Sequence, residues 1–293
     1  MERSETRPKR YKTWTFDGAR WDRYRPRDGD IIIATYPKCG TTWMQRIVDL
    51  LTFQSTEPRS IHEISAWIDM RFGPPIDFVI EQIEAQSHRR FFKSHLPLDG
   101  LPRFEQVRYI HVARDGRDAC MSFFNHCNAY TPLMYDMLDR AAEDMGGPAP
   151  RCPSDVGTFW REWLTKGVEP GASDGFPSLS FFDLEATYWR DRDRSNLLLV
   201  HYNDLKASLP DEMRRIADFL SIEVDPELWP NLVEAATFEG MKRHGAALLP
   251  HVGIVFEGGT DSFLFKGTNE RWREEISAEN LALYDEIAAK RLT

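Results

Sequence analysis

The sequence has no long apolar run. Nowhere in its 293 residues do about 18 apolar residues follow one another, the length that a membrane-crossing helix needs, so no transmembrane segment is expected. The opening stretch, MERSETRPKRYKTW, has no apolar h-region. No signal peptide is therefore expected, and a cytoplasmic location fits. Cysteine is scarce: Cys39, Cys120, Cys127 and Cys152 are the only four. None forms a CxxC pair and no His/Cys group has zinc-ligand spacing, so they read as free thiols of a reducing compartment and no metal is expected. Positive charge is not in excess either. A net charge of −9 argues against a nucleic-acid partner, because a phosphate backbone selects a basic surface. A small anionic ligand remains allowed, since it needs only a local positive pocket. There is no internal repeat. What is present is ordinary for a soluble globular protein, with 42% hydrophobic and 28% charged residues. The length is enough for one large α/β domain with a full core.

Along the chain, residues 1–28 are polar and Arg-rich and are expected to be partly mobile, with the domain proper over 29–293. Ile31–Thr35 is a continuous apolar run, as in a strand buried on both faces. Trp43, Met44, Ile47, Val48 and Leu51 then recur at helical spacing. Further strands are expected over Arg90–Lys93, Val107–Ala113 and Leu197–Tyr202, with helices from about Ala119, over Pro210–Leu220 and over Ala278–Lys290. Strands alternating with helices imply crossovers and hence a central parallel sheet flanked by helices. Residues 130–180, with many Gly, Pro and Ser, read as an irregular excursion, and 244–271 as a long loop.

The segment between the first strand and its helix holds more donors than a turn requires: Thr35, Tyr36, Pro37, Lys38, Cys39, Gly40, Thr41 and Thr42. A strand-to-helix loop points backbone N–H groups outward, and the helix dipole adds partial positive charge. Gly40 lets the backbone come close to an anion. Thr41 and Thr42 offer hydroxyls, and Lys38 a full charge. The arrangement is that of an anion cradle; the plainer alternative is a turn with a snorkelling Lys. A Walker A loop requires Gly-Lys-[Ser/Thr], and here the Lys precedes the Gly.

The order of these residues does match another pattern. TYPKCGTTW resembles the 5′-phosphosulfate loop of the cytosolic sulfotransferase family, TYPKSGTTW, with Cys39 in place of Ser. In register follow FKSHLPLD, similar to the family's FKTHLP, and VARDGRDACMSFFNH, similar to its 3′-phosphate segment. VHYNDLKASLPDEMRRIADFL, ATFEGMKR and FLFKGTNERWRE resemble its YEDMK, SFEAMK and RKGxxGDWK segments. The stretches RDGDIII and RRFFKSHLPLDGL also resemble the glycolipid-type bacterial branch, more loosely. There are departures. Phe265 stands where the family has the Arg of RKG, Glu270-Arg271 where it has Gly-Asp, and Ala236 where a hydroxyl is common. The short KxxxTVxxxE dimer motif is not found, so a homodimer stays open.

The resemblance implies a single α/β domain with a P-loop-kinase-like sulfotransferase core. It implies in-line transfer of a sulfuryl group from 3′-phosphoadenosine 5′-phosphosulfate, a co-substrate, to an acceptor hydroxyl or amine, with no metal. It assigns the general base to His95 and charge stabilisation to Lys38 and Lys93, with Ser122 touching Lys38. The 5′-phosphate falls to Lys38, Cys39, Gly40, Thr41 and Thr42. The 3′-phosphate falls to Arg114 and Ser122, with Lys266, Gly267 or Arg271 standing in for the missing Arg. Trp43 and Phe238 would sandwich adenine, and Tyr202 and Thr237 would reach the nucleotide; for the two aromatics the alternative is core packing, and for Ser122 a plain helix hydroxyl. A reactive thiolate at Cys39 and an inert buried thiol are both open. Trp67, Phe72, Phe78, Phe123, Phe124, Tyr130, Phe181 and Phe256 are the candidates for an apolar acceptor cleft, which implies a small-molecule alcohol, phenol or lipid-like acceptor. Residues 60–86 and 127–180 are the expected lids. The competing readings are a kinase-like phosphotransferase, which activity in the presence of EDTA would exclude, and a catalytically silent nucleotide-binding protein.

Overall fold

Four strands form one parallel sheet in the order β2-β1-β3-β4. They are β1 Ile31–Ala34, β2 Phe91–Ser94, β3 Arg108–Ala113 and β4 Leu197–His201. The computed structural model describes residues 7–141, 143–168 and 171–291. All four expected strands are present, each within a residue or two of its expected bounds.

Period-2 alternation divides the strand side chains between two cores. Ile31 and Ile33 of β1, Phe91 of β2 and Ile110 and Val112 of β3 pack on one face with Met44, Ile47 and Leu51. Those three come from the helix Thr41–Phe53. Ile32, Ala34, Phe92 and Tyr109 point to the other face. There they meet Phe159, Trp160 and Trp163 of the helix Val156–Thr165, and Phe181 and Tyr188 of the helix Phe181–Arg190. A sheet covered on both faces explains why β1 reads as an unbroken apolar run rather than as alternation. Truncating one such residue, for example Ile33→Ala, would cost roughly 2–5 kcal/mol.

The order places a switch point at β1. The chain leaves β1 for β2 on one side and then returns to β3 on the other. A crevice opens at the carboxyl ends of strands about such a point. Each strand here ends in a residue that faces that crevice: Lys38 after β1, Lys93 and His95 at β2, Arg114 after β3 and Tyr202 after β4.

Three expectations are corrected. The polar N-terminal segment is not loose over its described part. Tyr11, Phe16, Trp21 and Tyr24 are buried in the main core, and the Trp21 indole N–H donates to Asp69 Oδ2 over 2.8 Å. Residues 130–180 are not irregular throughout, since helices cover Pro132–Ala141 and Val156–Thr165. The second is capped by Asp155, which accepts from the Thr158 N–H over 2.8 Å. Residues 244–271 fold into short turns of helix, Gly245–Leu248, Val252–Val255 and Gly259–Phe263.

Candidate active site

The loop after β1 has two residues with left-handed backbone. Gly40 caps the helix Thr41–Phe53 at φ 103°. A Cβ at that position would lie 3.0 Å from Tyr202 Cδ2, so both conformation and space select glycine. Lys38 adopts φ 71°, a conformation that costs a non-glycine residue of order 1–3 kcal/mol. Its carbonyl accepts from Arg114 Nη1 over 3.0 Å. The guanidinium that holds the strained residue thus comes from the neighbouring strand end.

Lys38, Lys93 and Arg114 converge on one end of a cavity of about 810 Å³. Among the described residues none of the three forms an ion pair with a carboxylate. The Arg114 Nε is buried without a hydrogen-bond partner. Burial and the two other cations push the Lys38 ammonium down to about 7. Burial pushes Lys93 down to about 8, opposed by Asp69. Asp69 does not neutralise it by contact, because its oxygens are already bonded to Trp21, Trp67 and Ser94. Three cations kept in a low-dielectric space without counter-charge make a site that favours a polyanion.

His95 is buried at the same place, beyond the end of β2. Its Nδ1–H donates to the Thr35 carbonyl over 2.8 Å, which leaves the lone pair of the neutral ring on Nε2. Burial, then Lys93 and Lys38, hold the imidazole well below its ordinary range, so it is neutral near pH 7. Trp67 packs edge-on against it with centroids 5.1 Å apart, and the Lys93 ammonium lies 4.0 Å from the Trp67 centroid. Lys93 and His95 line one cavity, as expected of positions two apart at a strand end.

The remaining nucleotide-side expectations divide. Gly40, Thr41, Thr42, Trp43, Ser122, Tyr202, Phe238, Lys266, Gly267 and Arg271 all line the cavity. The Trp43 indole N–H is fixed by the Ala236 carbonyl at 2.7 Å, and its ring meets Tyr202 edge-on at 5.3 Å. The Arg114 guanidinium stacks over Tyr202 at 4.3 Å. Phe265 does not leave an uncharged corner: the Lys266 ammonium and the Arg271 guanidinium each lie 5.2 Å from its ring centroid. Of the two readings of Cys39 the structure has the inert buried thiol, and Cys39 is not among the residues that line the cavity. Its side chain is fully buried in the core, its N–H donates to the Tyr36 carbonyl over 3.2 Å, and burial pushes its thiol well up. It supplies neither a thiolate nor a free N–H. Thr237 departs from expectation. Its hydroxyl donates to the Glu234 carbonyl at 2.8 Å and accepts from the Gly240 N–H at 3.0 Å, so it caps the helix Phe238–Arg243 and does not line the cavity.

Four residues that the sequence reading missed belong to this end. Asn269 Oδ1 accepts from Arg114 Nη2 at 2.9 Å, and Asn269 Nδ2 donates to Asn203 Oδ1 at 2.6 Å. Lys206 donates to the Gly267 carbonyl at 2.8 Å, which ties the 264–271 segment to the helix Tyr202–Ala207. His126 Nδ1 stands 3.3 Å from Lys38 Nζ. Its signal was its spacing of one helical turn from Ser122, which puts both on one face of the helix Gly116–Asn128.

The other end of the cavity is apolar. Trp67, Phe72, Phe78, Phe123, Tyr130 and Phe256 line it as expected. Phe124 and Phe181 do not; they pack on Phe159 at 5.6 Å and on Tyr36 at 5.1 Å. Methionines that had not been foreseen, Met70, Met134 and Met137 among them, fill out the wall. Among the described residues there is no group of three metal-capable side chains, and no helix is long and apolar enough to cross a membrane.

A strand-end cradle with unpaired cations, joined to an apolar chamber beside a neutral histidine, defines a group-transfer site for an anionic nucleotide donor. A family model described as sulfotransferase domain matches residues 28–293, and the chain belongs to that family. A glycolipid sulfotransferase of Mycobacterium bovis is 31% identical, over 94% of this chain and 89% of that protein. Sulfotransferase 1B1 of Mus musculus is 28% identical, over 93% and 87%. In fold the chain is similar to retinol dehydratase in complex with androsterone and PAP, with a TM-score of 0.71 at 22% identity, over 92% of this chain and 82% of that one. It is similar to a mouse sulfotransferase complexed with PAP, with a TM-score of 0.70 at 18% identity, over 94% and 88%. The chain is thus a sulfotransferase that uses 3′-phosphoadenosine 5′-phosphosulfate and transfers its sulfuryl group to a small acceptor. The phosphotransferase and silent-binder readings fall away.

Proposed function

We propose that this enzyme sulfates a hydroxyl on an extended apolar or amphipathic acceptor, an alcohol, phenol or lipid-like molecule, with His95 as general base. The observation that carries the reading is the continuity of the cavity. The neutral imidazole of His95 and the two lysines stand where the cationic end meets the wall of Trp67, Phe72 and Tyr130. The donor supplies an activated sulfuryl group on a phosphate leaving group. The protein's work is placement, charge stabilisation and one proton transfer.

The fit of the donor rests on Arg114, whose Nε has no partner and whose Nη2 is held by Asn269. With Ser122 it would grip the 3′-phosphate through a planar fork. Lys266 and Arg271 supply the charge that Phe265 lacks. Lys38, Gly40, Thr41 and Thr42 would hold the 5′-phosphate at the helix N-terminus. Lys38 and Lys93 would face the sulfuryl oxygens, and a bound polyanion restores their charge by offsetting the burial that pushes both down. His95 would take the acceptor's proton at Nε2, since Nδ1 is occupied by Thr35. Relatives named for glycolipid and luciferin sulfation support an acceptor with a large apolar part. An acceptor panel incubated with the donor and read by mass spectrometry tests this. Gain of one SO₃ unit on long apolar alcohols or phenols is the expected result; gain on compact polar alcohols alone would overturn the acceptor class.

A further inference from the structure

Two imidazoles stand at the neck of the cavity, and their hydrogen bonds require opposite tautomers. His95 gives the proton of Nδ1 to a carbonyl. His126 meets the Lys38 side chain through Nδ1 at 3.3 Å. An ammonium only donates, so this Nδ1 carries the lone pair and Nε2 carries the proton. Burial, then Lys38, Lys93 and His95, hold His126 well below its ordinary range, so the ring is neutral and can accept.

The ring is held by other rings: Phe256 at 4.6 Å, Tyr130 at 5.3 Å and Phe263 at 5.8 Å. The Lys38 ammonium also lies 4.7 Å from the Phe263 centroid. Lys38 is thereby held at both ends, its carbonyl by Arg114 and its ammonium by His126. The charged and titratable groups that bear on Lys38 are Lys93, Arg114, Cys39 and Cys127. The first two repel an ammonium, and burial pushes both thiols well up, so they are neutral. Two contacts favour the charged form, the Phe263 ring face and the His126 nitrogen, and of these His126 alone offers a directed hydrogen bond.

We propose that His126 is a positioning residue for the transfer: its Nδ1 holds the Lys38 ammonium at the neck between the donor cradle and the acceptor wall. The inference rests on the reading of Lys38 as the cation that faces the sulfuryl group. An ammonium has three donors, so Lys38 keeps His126 while it gives its other protons to the arriving anion. A cation placed beforehand has less to reorganise when charge develops.

His126→Phe keeps an aromatic ring and removes the nitrogen. Its kcat should fall about tenfold, the rate equivalent of one hydrogen bond to a charged group, while affinity for adenosine 3′,5′-bisphosphate changes by less than about twofold. The alkaline limb of kcat/KM should move to lower pH, because Lys38 loses the partner that favours its charge. His126→Asn returns an amide oxygen close to the Nδ1 position and should recover most of the rate and the limb. A packing role predicts the reverse order, with Phe tolerated and Asn not, and that order overturns the proposal, as does a His126→Phe enzyme with wild-type rate and limb. Should His126→Phe fail to melt as a folded protein, nitrogen-15 NMR of the wild-type histidines decides instead. Lys38→Met should then shift the His126 Nδ1 signal, and an unmoved signal overturns the proposal. A Lys38→Ala enzyme with unchanged turnover and nucleotide affinity would overturn the underlying reading of Lys38 itself, and it is recognised without any His126 variant.

Discussion

The two ends of the cavity are built in different ways. The cationic end comes from the carboxyl ends of four adjacent strands. Its side chains are held by backbone: Trp43 by the Ala236 carbonyl, His95 by the Thr35 carbonyl, and Arg114 by the Lys38 carbonyl. The apolar end comes from five separate stretches, the N-terminal segment with Trp14, the region of Trp67 to Phe78, the helix Gly116–Asn128 with Phe123, the region of Tyr130 to Cys152 and that of Leu249 to Phe256. It is held by packing, with unbranched methionines among its walls, side chains that adapt to several shapes. Charge has to be placed within tenths of an ångström to act on a transition state, whereas an apolar chamber needs only volume and dryness.

That contrast can be tested by substitution. His95→Asn should give the largest effect, a fall in kcat of about 10²–10⁴-fold with nucleotide affinity nearly unchanged. Near-normal turnover in a folded, nucleotide-binding His95→Asn enzyme would remove it from the mechanism. Arg114→Ala should remove most of the preference for adenosine 3′,5′-bisphosphate over AMP, a charge-assisted contact worth roughly 1.5–3 kcal/mol; calorimetry with both nucleotides reads it. An equal loss for both would place Arg114 elsewhere. Gly40→Ala should destabilise the fold by about 1–3 kcal/mol through its φ of 103° and the contact with Tyr202, read by thermal melting with and without nucleotide.

The pH profile is the next comparison. His95 must be neutral to accept a proton, so the acidic limb of kcat/KM should lie below the ordinary histidine range, as burial requires. Lys38 and Lys93 must be charged, so the rate should fall as pH rises past about 7 and then about 8 in the free enzyme. Bound donor should move that limb upward, and a limb that ignores the donor would argue that neither lysine faces it. The smallest effect belongs to the apolar end. Met137→Ala should change the acceptor KM by about threefold or less and leave nucleotide affinity alone, because neighbouring side chains repack. A large loss of nucleotide affinity would show that the two ends are not independent.

The same contrast explains what could be read from the sequence. The cradle was legible because a strand, a loop and a helix N-terminus are contiguous, so Lys38, Gly40 and Thr42 announce themselves together. His95 and Arg114 each directly follow the end of a strand, β2 and β3, where the side chains meet the crevice. The apolar end was only half legible. Phe123 and Phe181 look alike in a sequence, yet one faces the cavity and the other packs under Tyr36. The helix Val156–Thr165 was missed because Gly and Pro nearby outweighed the helical spacing of Phe159, Trp160 and Trp163. The N-terminal segment was misread because its charge hid four anchoring residues, Tyr11, Phe16, Trp21 and Tyr24. Cys39 and Thr237 stand inside matching motifs but face the other way, and a motif does not record which way a side chain points.

Thr35 has a consequence beyond its place at the end of a strand. Its carbonyl receives the His95 proton at 2.8 Å, and its hydroxyl meets that of Thr41 at 2.5 Å. The His95 imidazole is therefore fixed from the same residue as the first turn of the helix Thr41–Phe53. A shift of Thr35 would move the His95 ring and the first turn of that helix together. Under the proposed roles, one residue then fixes the distance between the proton acceptor and the turn that holds the phosphate, whatever the acceptor's size.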